Sequence, residues 1–240
     1  MKRVYYDLHI HSCLSPCADN DMTPANIAGM AALKGLQVVA LTDHNTTGNC
    51  AAFFEAVRPY PILPLAGMEL TTAEEVHMVC LFPTVEAAGD FDRYLDAFRL
   101  PLTNRPEIFG EQRLYDGEDH YIGDLPHLLS AATALSLDMA VPAVRDRGGV
   151  IFPAHLDRQA HSMISVLGTV PRAYGFTCAE YRHPDTVAHW QSRHDLSHLR
   201  PLFNSDAHLL ENISEAEHFF DREGATSVTP ELVLEWLRHP

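Results

Sequence analysis

Asp7-Leu8-His9-Ile10-His11 closes the apolar run that begins at Val4, and its reading decides the fold. Val4–His11 reads as a strand, with Lys2-Arg3 before it and the turn Ser12-Cys13-Leu14-Ser15-Pro16-Cys17 after it. Side chains alternate faces along a strand, so Asp7, His9 and His11 are expected on one face and Leu8 and Ile10 on the other. Two imidazoles about 7 Å apart on a strand can converge on one metal ion where the strand ends. A lone His-x-His is as readily two unrelated histidines. The rest of the chain decides between them, because it repeats the same design.

Downstream, Thr23-Pro24 starts a helix over Ala25–Lys34 that Gly35 stops. Leu36–Leu41 is a continuous apolar run of strand length, as for a strand covered on both faces, and it ends in Thr42-Asp43-His44-Asn45. A helix is expected near Gly48–Arg58, then a strand over Ile62–Ala66 ending in Gly67-Met68-Glu69. Val76–Phe82 is a further strand with His77 at its start, and Val85–Leu100 reads as helical.

Residues 101–135 break this rhythm: Arg113-Leu114-Tyr115 and His120-Tyr121-Ile122 flank Asp116-Gly117-Glu118-Asp119, a hairpin insertion. The alternation then resumes. A helix from Ser136 to Arg147, with Pro142 inside it, precedes a strand at Val150-Ile151-Phe152 that delivers Pro153-Ala154-His155. Strands at Phe176–Tyr181 and Pro201–Asn204 follow, the second delivering Ser205-Asp206-Ala207-His208, and Thr229-Pro230 opens the last helix. Strands alternating with helices predict a parallel sheet in a single domain over residues 1–240, with its ligand site at the carboxyl ends of the strands. His9, His11, His44, Glu69, His155, Asp206 and His208 all fall at or just past an expected strand end.

Composition narrows the chemistry. Fifteen histidines nearly equal the 17 Lys and Arg together, and histidine is the commonest metal ligand among side chains. A net charge of −15 disfavours extended nucleic acid, which needs a basic surface, but leaves room for a small phosphorylated substrate met by bound cations. Five irregularly spaced cysteines fit a reducing compartment rather than a disulfide framework. There is no apolar run long enough to span a membrane, and the N-terminus meets Asp7 too early for a signal peptide, so a cytoplasmic location is expected. The clustered donors exceed the needs of one ion, and Glu69 is placed to bridge two. Nitrogen-rich ligation suits Zn, Mn or Fe.

Asp7-Leu8-His9-Ile10-His11-Ser12, Leu41-Thr42-Asp43-His44, Gly67-Met68-Glu69, Pro153-Ala154-His155 and Asn204-Ser205-Asp206-Ala207-His208 together resemble, in order, the motifs of the PHP (polymerase and histidinol phosphatase) family. The resemblance implies a distorted seven-stranded β/α barrel, a site for three divalent ions and metal-dependent phosphoesterase activity. It implies a first ion on His9, His11, Glu69 and Asp206, and a second bridged by Glu69 with His77 and His155. A third would take His44 and His208 with a residue shortly after the first motif. The family usually has Asp or His there; this chain offers Cys17, or failing that Asp19. Asp43, Arg158 and His161 are the further catalytic candidates: Asp43 to orient a ligand imidazole, Arg158 to clamp a phosphate, His161 to reach substrate.

The reading is a phosphoesterase acting on a small phosphomonoester or nucleotide. The alternatives are a nuclease working at DNA or RNA ends and a metal-stabilised module without turnover.

Overall fold

A computed structural model describes residues 2–222 and 227–239. The chain runs β1 (Lys2–Ile10), α1 (Pro24–Leu33), β2 (Val38–Leu41), α2 (Cys50–Ala56), β3 (Leu63–Thr71) and β4 (His77–Phe82), then α3 (Val85–Leu95) and α4 (Pro106–Phe109). The hairpin β5 (Arg113–Tyr115) and β6 (Tyr121–Asp124) precedes α5 (Leu137–Arg145), β7 (Val150–Pro153), α6 (Met163–Leu167), β8 (Cys178–Glu180) and α7 (Val187–His194). β9 (Arg200–Leu202), β10 (Phe219–Arg222) and α8 (Pro230–Arg238) complete it. Helix starts follow the expected chemistry: Thr23 and Thr229 each accept a backbone N–H, from Asn26 and Leu232, with proline next in sequence.

Six strands pair in the order β10-β1-β2-β3-β4-β7, and β8 and β9 form a separate parallel pair. Backbone bonds carry the curl further. Leu156 N–H donates to Glu180 O (2.8 Å) and His11 N–H to Ala207 O (3.0 Å), so β8 follows β7 and the segment after β9 reaches back to β1. The result is the distorted β/α barrel expected from the motifs. Tyr6, Leu8, Val38, Ala40, Leu65 and Phe152 fill one core with Val233, Leu234 and Leu237 of α8. Ile27, Phe53, Phe91 and Val144, from α1, α2, α3 and α5, pack on the other face of the sheet.

Two departures from a uniform parallel barrel position the site. β4 runs antiparallel to both β3 and β7, with Glu69 opposite Val79 and Thr71 opposite His77. The start of β4 therefore lies at the carboxyl end of β3, which is how a strand's first residue, His77, reaches Glu69. The second departure corrects the expected common face of Asp7, His9 and His11. Tyr6 pairs with Val38 and Asp7 with Val39, yet Ile10 pairs with Leu41, so β1 holds one extra residue over this span. Such a bulge re-aims side chains. Leu8 packs with the inner core and Ile10 with the outer one, so these two do not share a face. His9 and His11 turn to the centre. Asp7 instead accepts the backbone N–H groups of Ser205 and Ser214, both at 3.1 Å, and ties the loop carrying Asp206 and His208 to β1.

Residues 101–135 are anchored to the loops at the carboxyl rim. Asp119 accepts from Thr23 Oγ1 (3.1 Å) and Ala25 N–H (3.3 Å), and Asn49 bridges Arg113 O and Tyr115 N–H, both at 3.0 Å. Asn45 donates to Leu129 O (2.7 Å) and Ala131 O (2.9 Å). Among the described residues no helix is long and apolar enough to cross a membrane, and all five cysteines are free.

Candidate metal centre

β1, β2, β3, β4 and β7 and the segment after β9 each bring candidate ligands to one rim. Three groups of donor atoms converge there: His9, His11, Glu69 and Asp206; His44, Glu69 and His77; and His11, His44 and His208. His155 adds Nε2, 3.1 Å from Glu69 Oε1. Glu69 is the hub, and its two oxygens divide the work. Oε1 faces His77 Nδ1 (2.8 Å) and His155, while Oε2 faces His44 Nδ1 (3.0 Å) and His11 Nε2 (3.3 Å). His155 and Asp206 hold positive φ, +28° and +51°, strained backbone of the kind that gathers at functional sites.

The chemistry of these atoms calls for cations. His9 Nδ1 lies 3.0 Å from a Glu180 oxygen and so carries a proton, which in the neutral ring leaves Nε2 a lone pair. His11 Nδ1 lies 2.9 Å from Ser15 Oγ, whose own proton goes to Asp43 Oδ1 (2.7 Å), so His11 Nε2 is likewise a lone pair. These two nitrogens stand 3.1 Å apart, with a Glu69 and an Asp206 oxygen within 3.5 Å of each. Four electron-pair donors facing one another without a proton among them fit a divalent ion.

Without an ion, protons take its place. Burial alone would lower the pKa of His9, but Glu180, Glu69 and Asp206 hold it well above the usual value. At His11 the carboxylates of Asp206 and Glu69 overcome burial and hold the pKa at about 9. Burial opposes ionisation of Glu69, yet His77, His9 and His44 keep its carboxyl well below the ordinary range. Burial pushes His77 and His208 down to about 4 and 3, so both offer neutral nitrogens.

Other candidates stand around this centre. Asp43 is not among the converging donors; it accepts from Ser12 N–H (2.7 Å), Ser12 Oγ (2.6 Å) and Ser15 Oγ, and so reaches His11 only through Ser15. Arg158 donates to Asp206 Oδ2 at 2.9 Å. His161 stacks on His77 with ring centres 4.5 Å apart and ties its Nδ1 to Glu75 O (3.1 Å). Cys17 is exposed, beside the His44 ring but outside the three tight groups. Asp19 turns its carboxylate to Asp21 N–H (2.8 Å).

Two functional groups escaped the sequence reading. Glu180, fully buried, orients His9 and is itself held by Asn204 Nδ2 (2.8 Å) and His155 N–H (3.1 Å). An acid ending an apolar strand was the available signal. Arg182 donates to Asp206 Oδ2 at 3.0 Å beside Arg158, and nothing in its local sequence distinguishes it from a surface arginine.

Residues 7–105 match the family model of the PHP domain. No curated protein sequence matches the chain. Among solved structures, a lesion-specific endonuclease from Pyrococcus furiosus aligns over 99% of this chain at 19% identity with a TM-score of 0.69. The chain spans 56% of that enzyme's length. An Endonuclease Q complex with a 27-mer duplex containing an abasic lesion aligns over 87% of this chain and 50% of its own, at 19% identity and a TM-score of 0.57. A protein from Bifidobacterium adolescentis assigned as a metal-dependent phosphoesterase aligns over 98% of this chain and 96% of its own, at 20% identity and a TM-score of 0.58. The ligand-type cluster at the rim and the barrel agree with the PHP-domain match over residues 7–105.

Proposed function

We propose that the protein hydrolyses a phosphomonoester borne by a small molecule or nucleotide. The observation that carries this reading is the arginine pair at the rim. Arg158 and Arg182, each partly exposed, both donate to Oδ2 of Asp206, whose Oδ1 faces His9 and His11. Two planar forks beside the metal ligands suit a dianionic phosphoryl group, which would accept the donors not committed to Asp206. Up to three divalent ions, of Zn, Mn or Fe type, would be held by His9, His11, Glu69 and Asp206; by Glu69, His77 and His155; and by His44 and His208. When bound they would supply charge neutralisation and an activated water for attack on phosphorus.

The chain's own residues do the rest. Glu180 and the Asp43–Ser15 pair fix which nitrogen of His9 and His11 points inward. Asp206 aims one oxygen at the ligands and the other at the arginines, and so sets the distance between ion and phosphate clamp. His161 has Nδ1 anchored, which leaves Nε2 for the leaving-group oxygen. The free cysteines accord with a reducing, cytoplasmic setting.

A second reading, cleavage of nucleic acid, is supported by the endonuclease likeness over nearly the whole chain. A screen of metal-loaded protein separates the two. Phosphate release from sugar phosphates, mononucleotides and bisphosphates is the expected result. Cleavage only of oligonucleotides or abasic duplexes would favour the nuclease.

A further inference from the structure

The third ligand group is incomplete without an additional donor. His11 Nδ1 is committed to Ser15 and its Nε2 to the group with His9, Glu69 and Asp206, so it has no nitrogen to spare. That leaves two imidazoles, His44 and His208, where a catalytic zinc normally has three protein ligands. His44 is buried, and its Nδ1 has no hydrogen-bond partner although Glu69 Oε2 lies nearby.

The turn after β1 is built to present one side chain here. Ala18 N–H donates to Ser15 O (2.9 Å), closing a tight turn with Cys17 inside it. Ser15 at its start holds both the His11 ring (2.9 Å) and His44 N–H (3.1 Å), and Asp19 N–H at its end donates to His208 O (2.9 Å). The turn is thus stapled to all three histidines, and it sets Cys17 beside the His44 ring at the edge of the group formed by His11, His44 and His208. From the other side Gly110 leaves no slack: a Cβ at this residue (φ +100°) would sit 1.9 Å from Pro16 O. Asp19, the alternative donor, has its carboxylate turned to Asp21 N–H.

We propose that Cys17 is a thiolate ligand of an ion shared with His44 and His208, which makes this one position of the centre sulfur-bearing while the others are nitrogen and oxygen. The inference rests on the metal-centre reading above. On binding, the S–H bond breaks, its proton passes to solvent and the sulfur electron pair forms the bond to the ion. A soft donor biases this position toward Zn, Fe or Co over Mn and Mg. Because Cys17 is the one exposed cysteine of the five, the ligand is also reachable by thiol reagents.

Cobalt(II) loading of the full chain tests this. The wild type and Cys13→Ser should both show a near-ultraviolet thiolate-to-cobalt charge-transfer band. Cys17→Ser should lack it and bind one ion fewer, and Cys17→Asp should regain the ion without the band. Metal loading should also slow alkylation of Cys17 at least tenfold relative to chelated protein. Full cobalt binding with no band, or a band that survives in Cys17→Ser, would overturn the ligand role alone. A protein that binds no cobalt would overturn the metal centre itself and this inference with it.

Discussion

Glu180 and His9, far apart in sequence, meet as a fully buried pair with a carboxylate oxygen 3.0 Å from Nδ1. This contact decides which nitrogen of His9 faces the other ligands. A buried carboxylate behind a ligand imidazole fixes its tautomer and raises its basicity, and losing one typically costs 10- to 100-fold in metal affinity. Glu180→Gln should weaken zinc binding by about that factor with little change in the far-ultraviolet circular dichroism of the metal-loaded protein. Unchanged affinity by competition with a chromophoric chelator would remove Glu180 from the site.

Arg182 and Arg158 share Asp206 Oδ2, so each leaves donors free for an anion. Replacing either by Gln removes charge-assisted hydrogen bonds worth about 1.5–3 kcal/mol, roughly a tenfold to hundredfold rise in KM. Lys should restore only part of it, because an ammonium lacks the planar fork. Steady-state kinetics on the best substrate from the screen would show this; a fall in kcat at constant KM would place the arginines elsewhere in the reaction.

The motifs made most of the barrel legible, and with it the meeting of His9, His11, Glu69 and Asp206 at one rim, because donor side chains at strand ends leave a mark in a single sequence. What stayed hidden depends on pairing between strands. The one-residue bulge that separates Asp7 from His9 exists only in the register of β1 against β2, and the antiparallel run of β4 only in its pairing with β3 and β7. Glu180 and Arg182 acquire their roles from His9 and Asp206, more than 170 and 20 residues away in sequence, and no local pattern encodes such a meeting.

Metal binding competes with protons at these rings, and the competition has a sign. Burial favours the neutral forms, but carboxylates outweigh it and hold His11 and His44 at about 9 in the metal-free protein, against the ordinary 6.5. A pKa raised by folding gives metal-free protein a stability that is complete below 6.5 and lost as pH rises through 9. His77 and His208, pushed down to about 4 and 3 by burial, stay neutral in the fold across that window. The gap in Tm between zinc-loaded and chelated protein should therefore widen from pH 6.5 to 9. A gap that narrows with pH would contradict this proton occupancy.

The hairpin of β5 and β6 caps α1 through Asp119 and grips the rim through Asn49. Asp119→Ala should cost about 1 kcal/mol, as for loss of a helix N-cap, read as a lower urea midpoint. Replacing residues 117–120 with a short Gly-Ser turn should alter KM or substrate preference more than kcat, because loops on a rigid scaffold commonly carry specificity. Equal kinetic constants for all substrates would show that the hairpin serves the fold alone.

Glu69 is the hub of the proposed centre, with its two oxygens facing His77 and His155 on one side and His11 and His44 on the other. Its most direct test is bound metal per chain, measured by atomic emission together with phosphate release, for wild type and Glu69→Gln. The variant should lose at least one ion per chain and nearly all hydrolysis, and excess metal should not restore the rate. Full metal stoichiometry with near-normal kcat in Glu69→Gln would contradict the bridged centre.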